Sequence, residues 1–337
     1  MNDKMHPQDW RPSAGLRVLQ LRARVLHFAR AFFAQRQVLE VETPLLCSTA
    51  NPDPHIENFT TTYVGPQAAQ GMDLYLQSSP EFAMKRLLSA GSGPIFQICK
   101  SFRQAEWGAQ HNPEFTILEW YRPGFDIAAL MSEIEALMHG LFENESAHGV
   151  QNLQTTQIIS YQEAFLSTLG IDPLNASLTE LMDCVKHQGV NVYGMHSEGR
   201  DAWLDVLMSH CVQPRLGHNR LTFVSEYPVS QAALARINPH NPKTALRFEL
   251  FLDGVELANG FHELANAEEQ RIRFQQDLAV RKRHNQPQPP MDEYLLQALA
   301  KGLPDCSGVA VGLDRVIMRL AQATQVNDVM AFPFGRV

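Results

Sequence analysis

An α+β fold, a largely antiparallel sheet with helices around it, is what this sequence predicts. Three observations carry the prediction. Short runs rich in β-branched and aromatic residues, such as Ile95–Arg103 and Glu114–Arg122, follow one another through loops rather than through long crossovers. Residues 247–263, Arg-Phe-Glu-Leu-Phe-Leu-Asp-Gly-Val-Glu-Leu-Ala-Asn-Gly-Phe-His-Glu, form a hairpin signal, because Asp253-Gly254 suits a type I′ turn with positive φ at both positions. Segments of helical period fall before, between and after these strands.

Element by element, residues 15–36 place Leu16, Leu19, Val25, Leu26, Phe28, Phe32 and Phe33 among arginines and glutamines, giving a helix with one buried stripe. Val38–Thr43 follows as a short strand that Pro44 stops. A polar loop with Pro52 and Pro54 leads to strands near 57–64 and 73–78. Ser79-Pro80-Glu81 opens a helix through Leu88: Ser79 caps it, Pro80 fits its first turn and Glu81 suits its positive end. The strands 95–103 and 114–122 come next, and helices are expected at 126–142, 161–169, 177–188 and 199–213. Strands at 221–225 and 246–260 precede a long helix at 266–284, a Pro-rich loop and a helix at 292–300. Gly308–Gly312 closes the series as a strand running into a helix from Leu313. The whole chain, 1–337, reads as a single domain in which 145–245 is a helical insertion.

Composition narrows the function. The chain has 337 residues, 45% hydrophobic content and a formal net charge of −8, with its acids dispersed. A protein gripping a long nucleic acid carries a basic face. The densest basic patch, Arg271 to His284, is interleaved with Gln, Phe and Leu and reads as a solvated helix face. Five scattered cysteines without Cys-x-x-Cys argue against a disulfide framework and against zinc, and suit a reducing cytoplasm. No run of about 18 apolar residues is present to span a bilayer, so no membrane association is expected.

Three stretches could carry chemistry. On the hairpin, alternation puts Phe248, Leu250, Leu252, Val255 and Leu257 on one face and Arg247, Glu249, Glu256, Ala258 and Gly260 on the other. Simple pairing sets Leu250 against Leu257 and Glu249 against Ala258. Glu249 and Glu256 become diagonal neighbours about 7 Å apart at the backbone, close enough to share a cation, with Ala258 and Gly260 as an open floor. On the strand pair 95–122, Phe115, Ile117, Glu119 and Tyr121 share a face, and Arg103 stands where its guanidinium can fork onto a phosphate. Near the C-terminus, glycines beside Arg315 at a helix start let a flat, anionic ligand approach the backbone. No Gly-x-Gly-x-x-Gly or Gly-x-x-x-x-Gly-Lys-Ser/Thr occurs, which excludes Rossmann and P-loop readings. Two arginines, two glutamates for Mg²⁺, an aromatic for a base and a glycine floor together describe an ATP site. With no Ser-His-Asp or Cys-His nucleophile evident, a substrate carboxylate itself can attack the α-phosphate.

The segments Phe32–Leu45, Phe102–Arg122 and Gly308–Met318 resemble motifs 1, 2 and 3 of class II aminoacyl-tRNA synthetases, and RFELFLDGVELANGFHEL is closest to lysyl-tRNA synthetase. The resemblance runs from residue 16 to 337 and implies a class II catalytic core, here expected without the N-terminal OB anticodon-binding domain. In that respect the chain is similar to the free-standing lysyl-tRNA synthetase paralogues that attach (R)-β-lysine to a lysine of elongation factor P. It implies catalytic roles for Arg103 and Arg315, and ATP contacts at Arg103, Gln104, Ala105, Glu106, His111, Asn112, Phe115, Glu256, Leu257, Gly312 and Arg315. Mg²⁺ would fall to Glu249 and Glu256. Substrate binding would fall to Ser79, Pro80, Glu81, Tyr121, Asn259, Glu263 and Ala310, with Glu81 on the α- or β-amino group and Tyr121 and Glu263 on the side-chain amine. An Asp- or Asn-specific relative would need a basic group at Glu263.

Two positions depart from the family pattern. The usual Arg-x-Glu of motif 2 is Arg103-Gln104-Ala105 followed by Glu106: either the loop shifts to use Glu106, or the contact at Ala105 is made by backbone. Ala310 stands where lysyl-tRNA synthetases have glycine and the paralogues have alanine. Motif 1 implies a homodimer, and an acidic chain without a tRNA-reading domain implies a protein acceptor, elongation factor P, rather than tRNA. A minimal lysyl-tRNA synthetase-like enzyme using α-lysine and a non-catalytic regulatory paralogue are the alternatives.

Overall fold

A computed structural model describes residues 10–150, 152–195 and 198–337. In chain order the elements are α1 (Leu16–Gln35), β1 (Leu39–Glu40), β2 (Leu46–Cys47), β3 (Thr60–Gly65), β4 (Ala68–Leu76), α2 (Glu81–Ser89), β5 (Ile95–Phe102) and β6 (Glu114–Pro123). They continue with α3 (Ile127–Ser146), β7 (Gln154–Ser160), α4 (Tyr161–Leu169), α5 (Leu178–His187), α6 (Arg200–Leu207), β8 (Arg220–Ser225), β9 (Arg247–Leu252) and β10 (Val255–His262). The last are α7 (Ala267–Arg283), α8 (Glu293–Gly302), β11 (Cys306–Gly312) and α9 (Leu313–Leu320). The predicted α+β class is the observed one.

The chain forms two compact units. The first contains the described residues up to Pro123, then Ala265–Pro304 and Val311–Val337. Its strands lie in the order β1-β5-β6, with β5 and β6 antiparallel from Ile95↔Tyr121 to Phe102↔Glu114. Beside them β2, β4 and β3 make a small antiparallel sheet. Its core is aromatic: Phe33 of α1 stacks on Phe96 at 4.6 Å and meets Trp120 at 5.0 Å. Rings this large dominate core energetics, because each removes so much apolar surface from water.

The second unit is Gly124–Leu264 with Asp305–Ala310, and its strand order is β11-β10-β9-β8-β7. Side-chain caps start α3, α4 and α5: Asp126 accepts from the Ala129 N–H, and Ser160 with Glu163 and Ser177 with Glu180 form capping boxes. Tyr161, Phe165, Trp203, Leu204 and Leu207 build a core under these helices. The region 145–245 therefore carries β7 and β8 as well as helices. The strand β7 escaped the sequence reading because Gln-Thr-Thr-Gln offers no apolar alternation.

The basic patch 271–284 is corrected at one position. Most of its side chains on α7 are exposed or half-buried, but Arg281 is only 2% exposed. All five cysteines are free, and among the described residues no helix is long and apolar enough to cross a membrane.

Candidate active site

In the first unit, Ser79 sits just before α2 and serves two partners. Its Oγ accepts from the Glu81 N–H (3.0 Å), as a cap does, and donates to Glu119 (2.6 Å). Tyr121, two residues along β6 on the same face, donates to the other Glu119 oxygen at 3.3 Å. Glu119 is 1% exposed. Burial, with the Glu81 carboxylate nearby, pushes it up to about 8 against the pull of these two hydroxyls. Glu81 itself already accepts an ion pair from the buried Lys85 at 2.7 Å. The structure thus brings Ser79, Glu81 and Tyr121 together around an acid to which sequence reasoning assigned no role. Alternation had put Glu119 on the face of Phe115 and Tyr121, and that was its only signal.

The motif 2 loop surrounds Arg103. Its guanidinium lies 5.2 Å from the Phe115 ring and 3.5 Å from the Glu106 carboxylate. Ala105 has φ of 66°, a left-handed conformation for a residue with a Cβ. That turn lets Glu106 reach Arg103. The Gln104 N–H is committed to the Glu57 carbonyl (2.8 Å), so this residue contributes its backbone to the loop's anchorage.

Arg315 lies in the first turn of α9, with Gly312 as the residue capping its start. One of its nitrogens is 2.7 Å from His111 Nε2, and another donates to the Gln110 carbonyl at 3.5 Å. The structure therefore joins Arg315 to His111, both singled out from sequence. Asn112 is only 3% exposed, and its amide is used locally: it donates to the Glu114 carbonyl (2.6 Å) and accepts from the Phe334 N–H (2.9 Å).

In the second unit the hairpin turn is as read, with φ of 48° at Asp253 and 72° at Gly254, and Val255↔Leu252 and Glu256↔Phe251 pair. Beyond them the register differs from the simple hairpin. A bulge between Glu256 and Ala258 inserts Leu257, so Leu250 faces Ala258 and Glu249 faces Asn259. One extra residue exchanges the two faces of all that follows. Ala258 and Gly260 thus leave the acid face, and the small-residue floor is withdrawn. A Cβ on Gly260 would lie 2.3 Å from the Phe248 ring and 3.0 Å from the Gly308 carbonyl, so its smallness serves core packing. Asn259 takes the place beside the acids.

Glu249 is held by Arg247 at 2.6 Å, and Arg247 lies 4.5 Å from the Tyr227 ring. Burial first, and the Glu256 carboxylate second, push Glu249 well above the usual carboxylate range. Asn259 Oδ1 is buried without a hydrogen-bond partner. Two mutually repelling carboxylates beside an unsatisfied amide oxygen make a hard-oxygen donor set, which fits Mg²⁺ completed by phosphate oxygens. Among the described residues no group of three or more His, Cys, Asp or Glu is gathered for a metal.

Glu263, 1% exposed, is fixed through its main chain: its N–H bonds the Cys306 carbonyl (3.0 Å), and its carbonyl accepts from Arg236 Nε (2.6 Å). Asp305 holds that arginine at 2.7 Å and His262 at 3.0 Å. Leu257 is buried, and Ala310 is half-buried on β11.

Residues 5–336 match the model of the class II tRNA synthetases (D, K and N). Relatives named elongation factor P–(R)-beta-lysine ligase include those of Pseudoalteromonas translucida (strain TAC 125) and Edwardsiella ictaluri (strain 93-146). Each is 47% identical over 327 residues, 97% of this chain and 98% of the relative. The protein of the same name from Klebsiella pneumoniae (strain 342) is 46% identical over the same spans. With this match over nearly its full length, the chain belongs to the class II tRNA synthetase family of the D, K and N type.

Proposed function

We propose that the chain is an ATP-dependent ligase that activates (R)-β-lysine as its adenylate and transfers it to the ε-amino group of a lysine of elongation factor P. The observation that carries this reading is the buried acid Glu119, set among Ser79, Glu81 and Tyr121 and pushed up to about 8. A buried carboxyl group kept from ionising among polar side chains is matched by a cationic amine, whose arrival removes the cost of the buried charge. The names of the relatives supply the rest of the substrate.

In the first step the substrate carboxylate oxygen forms a bond to the α-phosphorus of ATP, and the bond from that phosphorus to the bridging oxygen breaks to release pyrophosphate. Arg103 and Arg315 stabilise charge on the transferring group, Phe115 offers its ring to adenine, and Glu106 stands in for the usual motif 2 glutamate. Glu249 and Glu256, with Asn259, would hold Mg²⁺, which neutralises phosphate charge when bound. The ε-amino nitrogen of the acceptor then attacks the acyl carbon, and AMP leaves. Glu81, Glu119, Tyr121 and Glu263 select the amines of the substrate. The protein acts in the cytoplasm as a homodimer.

Pyrophosphate exchange tests the first step and labelling of elongation factor P the second. Exchange with α-lysine and charging of tRNA, without labelling of the factor, would establish the synthetase-like alternative instead.

A further inference from the structure

Arg281 is the one arginine of the 271–284 patch that the fold encloses, and a buried guanidinium must have its donors satisfied. Here four of them are used. Nε donates to the Pro52 carbonyl (2.8 Å), Nη1 to that of Pro287 (3.0 Å), and Nη2 to those of Asp53 (2.7 Å) and Ile56. Three of these acceptors belong to one loop, in which Pro52 and Pro54 remove two N–H groups. Gln286 adds a bond from Nε2 to the Pro54 carbonyl at 3.0 Å. The loop is thus held from outside by the end of α7 and the segment after it.

Its next residue, Glu57, makes the connection to the site. Its carbonyl accepts from the Gln104 N–H at 2.8 Å, an isolated antiparallel bridge. On the other flank the Arg103 N–H bonds the Pro113 carbonyl at 2.9 Å. Directly after Gln104 comes Ala105 at φ 66°, a left-handed conformation that is strained for a residue with a Cβ. Such strain persists only where neighbouring structure over-determines it.

We infer that Arg281 is a positioning residue for ATP binding: by fixing residues 52–56 it sets Glu57 against Gln104, holds the left-handed turn at Ala105, and so aims Arg103 and Glu106. The ATP half of this inference rests on the role proposed above for Arg103; the mechanical half does not. Lysine cannot replace the clamp, because an ammonium has three donors on one atom rather than a planar fork.

Hydrogen–deuterium exchange on the full chain carrying Arg281→Lys tests the mechanical half. Peptides spanning 52–59 and 102–107 should lose protection together, each by about tenfold or more, while α3 is unchanged. Faster exchange in 52–59 with 102–107 unchanged would overturn the inference. Should Arg281→Lys fail to fold, Gln286→Ala loosens the same loop, and a joint loss of about threefold is expected; loss confined to 52–59 would again overturn it. In pyrophosphate exchange, the KM for ATP should rise about tenfold while the KM for the amino acid stays within about twofold. A lowered melting temperature with both KM values unchanged would show a purely structural role. If the unaltered protein gives no pyrophosphate exchange, the proposed function fails, while the protection data still decide whether Arg281 holds the motif 2 loop.

Discussion

Asp314 accepts a hydrogen bond from the Thr116 main-chain N–H at 2.6 Å, tying the start of α9 to β6 across 198 positions of sequence. Its other oxygen is paired with Arg22 of α1, which also donates to the Val329 carbonyl at 2.9 Å. One carboxylate, 3% exposed, thereby joins the segments that resemble motifs 2 and 3 to the helix α1 that leads into motif 1. It adjoins Arg315 on one strand of contacts and Phe115 on the other.

Removing that carboxylate leaves Arg22 and the Thr116 N–H without their shared partner. Asp314→Ala should cost about 3 kcal/mol, because breaking a buried pair from one side strands the other charge. A lower urea midpoint for Asp314→Ala would check this. In a double-mutant cycle, Arg22→Ala should add much less on top of Asp314→Ala than it costs alone.

Glu119 should make binding of the amine pH-dependent. Its value of about 8 means that the free protein holds this proton at pH 7, and an ammonium ligand favours the ionised form. Binding therefore releases a proton, and affinity should rise by up to about tenfold per pH unit from 6 to 8. Calorimetry of amino-acid binding in buffers of different ionisation enthalpy reads the proton directly. Glu119→Gln should flatten the profile and weaken binding by about tenfold or more.

Asp277 predicts a stability effect of the opposite chemistry. Burial, and then Asp53, push it from 3.8 to about 6 in the folded chain. A raised acid binds more protons folded than unfolded between those values, so stability falls as pH rises through that window and stays lower above it. Asp277→Asn removes the cost and should stabilise by about 1 kcal/mol at pH 7.5, discounted for partial exposure, with little gain at pH 4. Thermal melts at the two pH values check the difference.

Arg103 and Arg315 should contribute to the transition state more than to folding. Arg103→Ala and Arg315→Ala are each expected to lower the adenylation rate by about 100-fold or more, with the melting temperature nearly unchanged. Single-turnover measurements of pyrophosphate release separate that step from binding.

Much of this was legible in the chain. The Asp253-Gly254 turn and most of the strands and helices follow from local patterns, while Ser79, Glu81 and Tyr121 were named as a site only through the family resemblance. The bulge at Leu257 was not, because alternation shows which residues are apolar but not where one extra residue enters the ladder. That single insertion moved Ala258 and Gly260 into the core side and brought Asn259 opposite Glu249. Arg281 was hidden for a related reason: composition marks a basic helix face, while its burial depends on a proline-rich loop 225–229 residues away in sequence. Glu119 sat in plain view on its strand, and only its tertiary burial, with the Glu81 carboxylate nearby, raises it.

Transfer of labelled (R)-β-lysine to purified elongation factor P, with ATP and with α-lysine and bulk tRNA as competing substrate and acceptor, tests the proposed activity most directly. The expected result is ATP-dependent label on one lysine of the factor, release of AMP, and preference for (R)-β-lysine over α-lysine. Label that appears on tRNA and not on the factor, or no transfer and no pyrophosphate exchange with either amino acid, would contradict it.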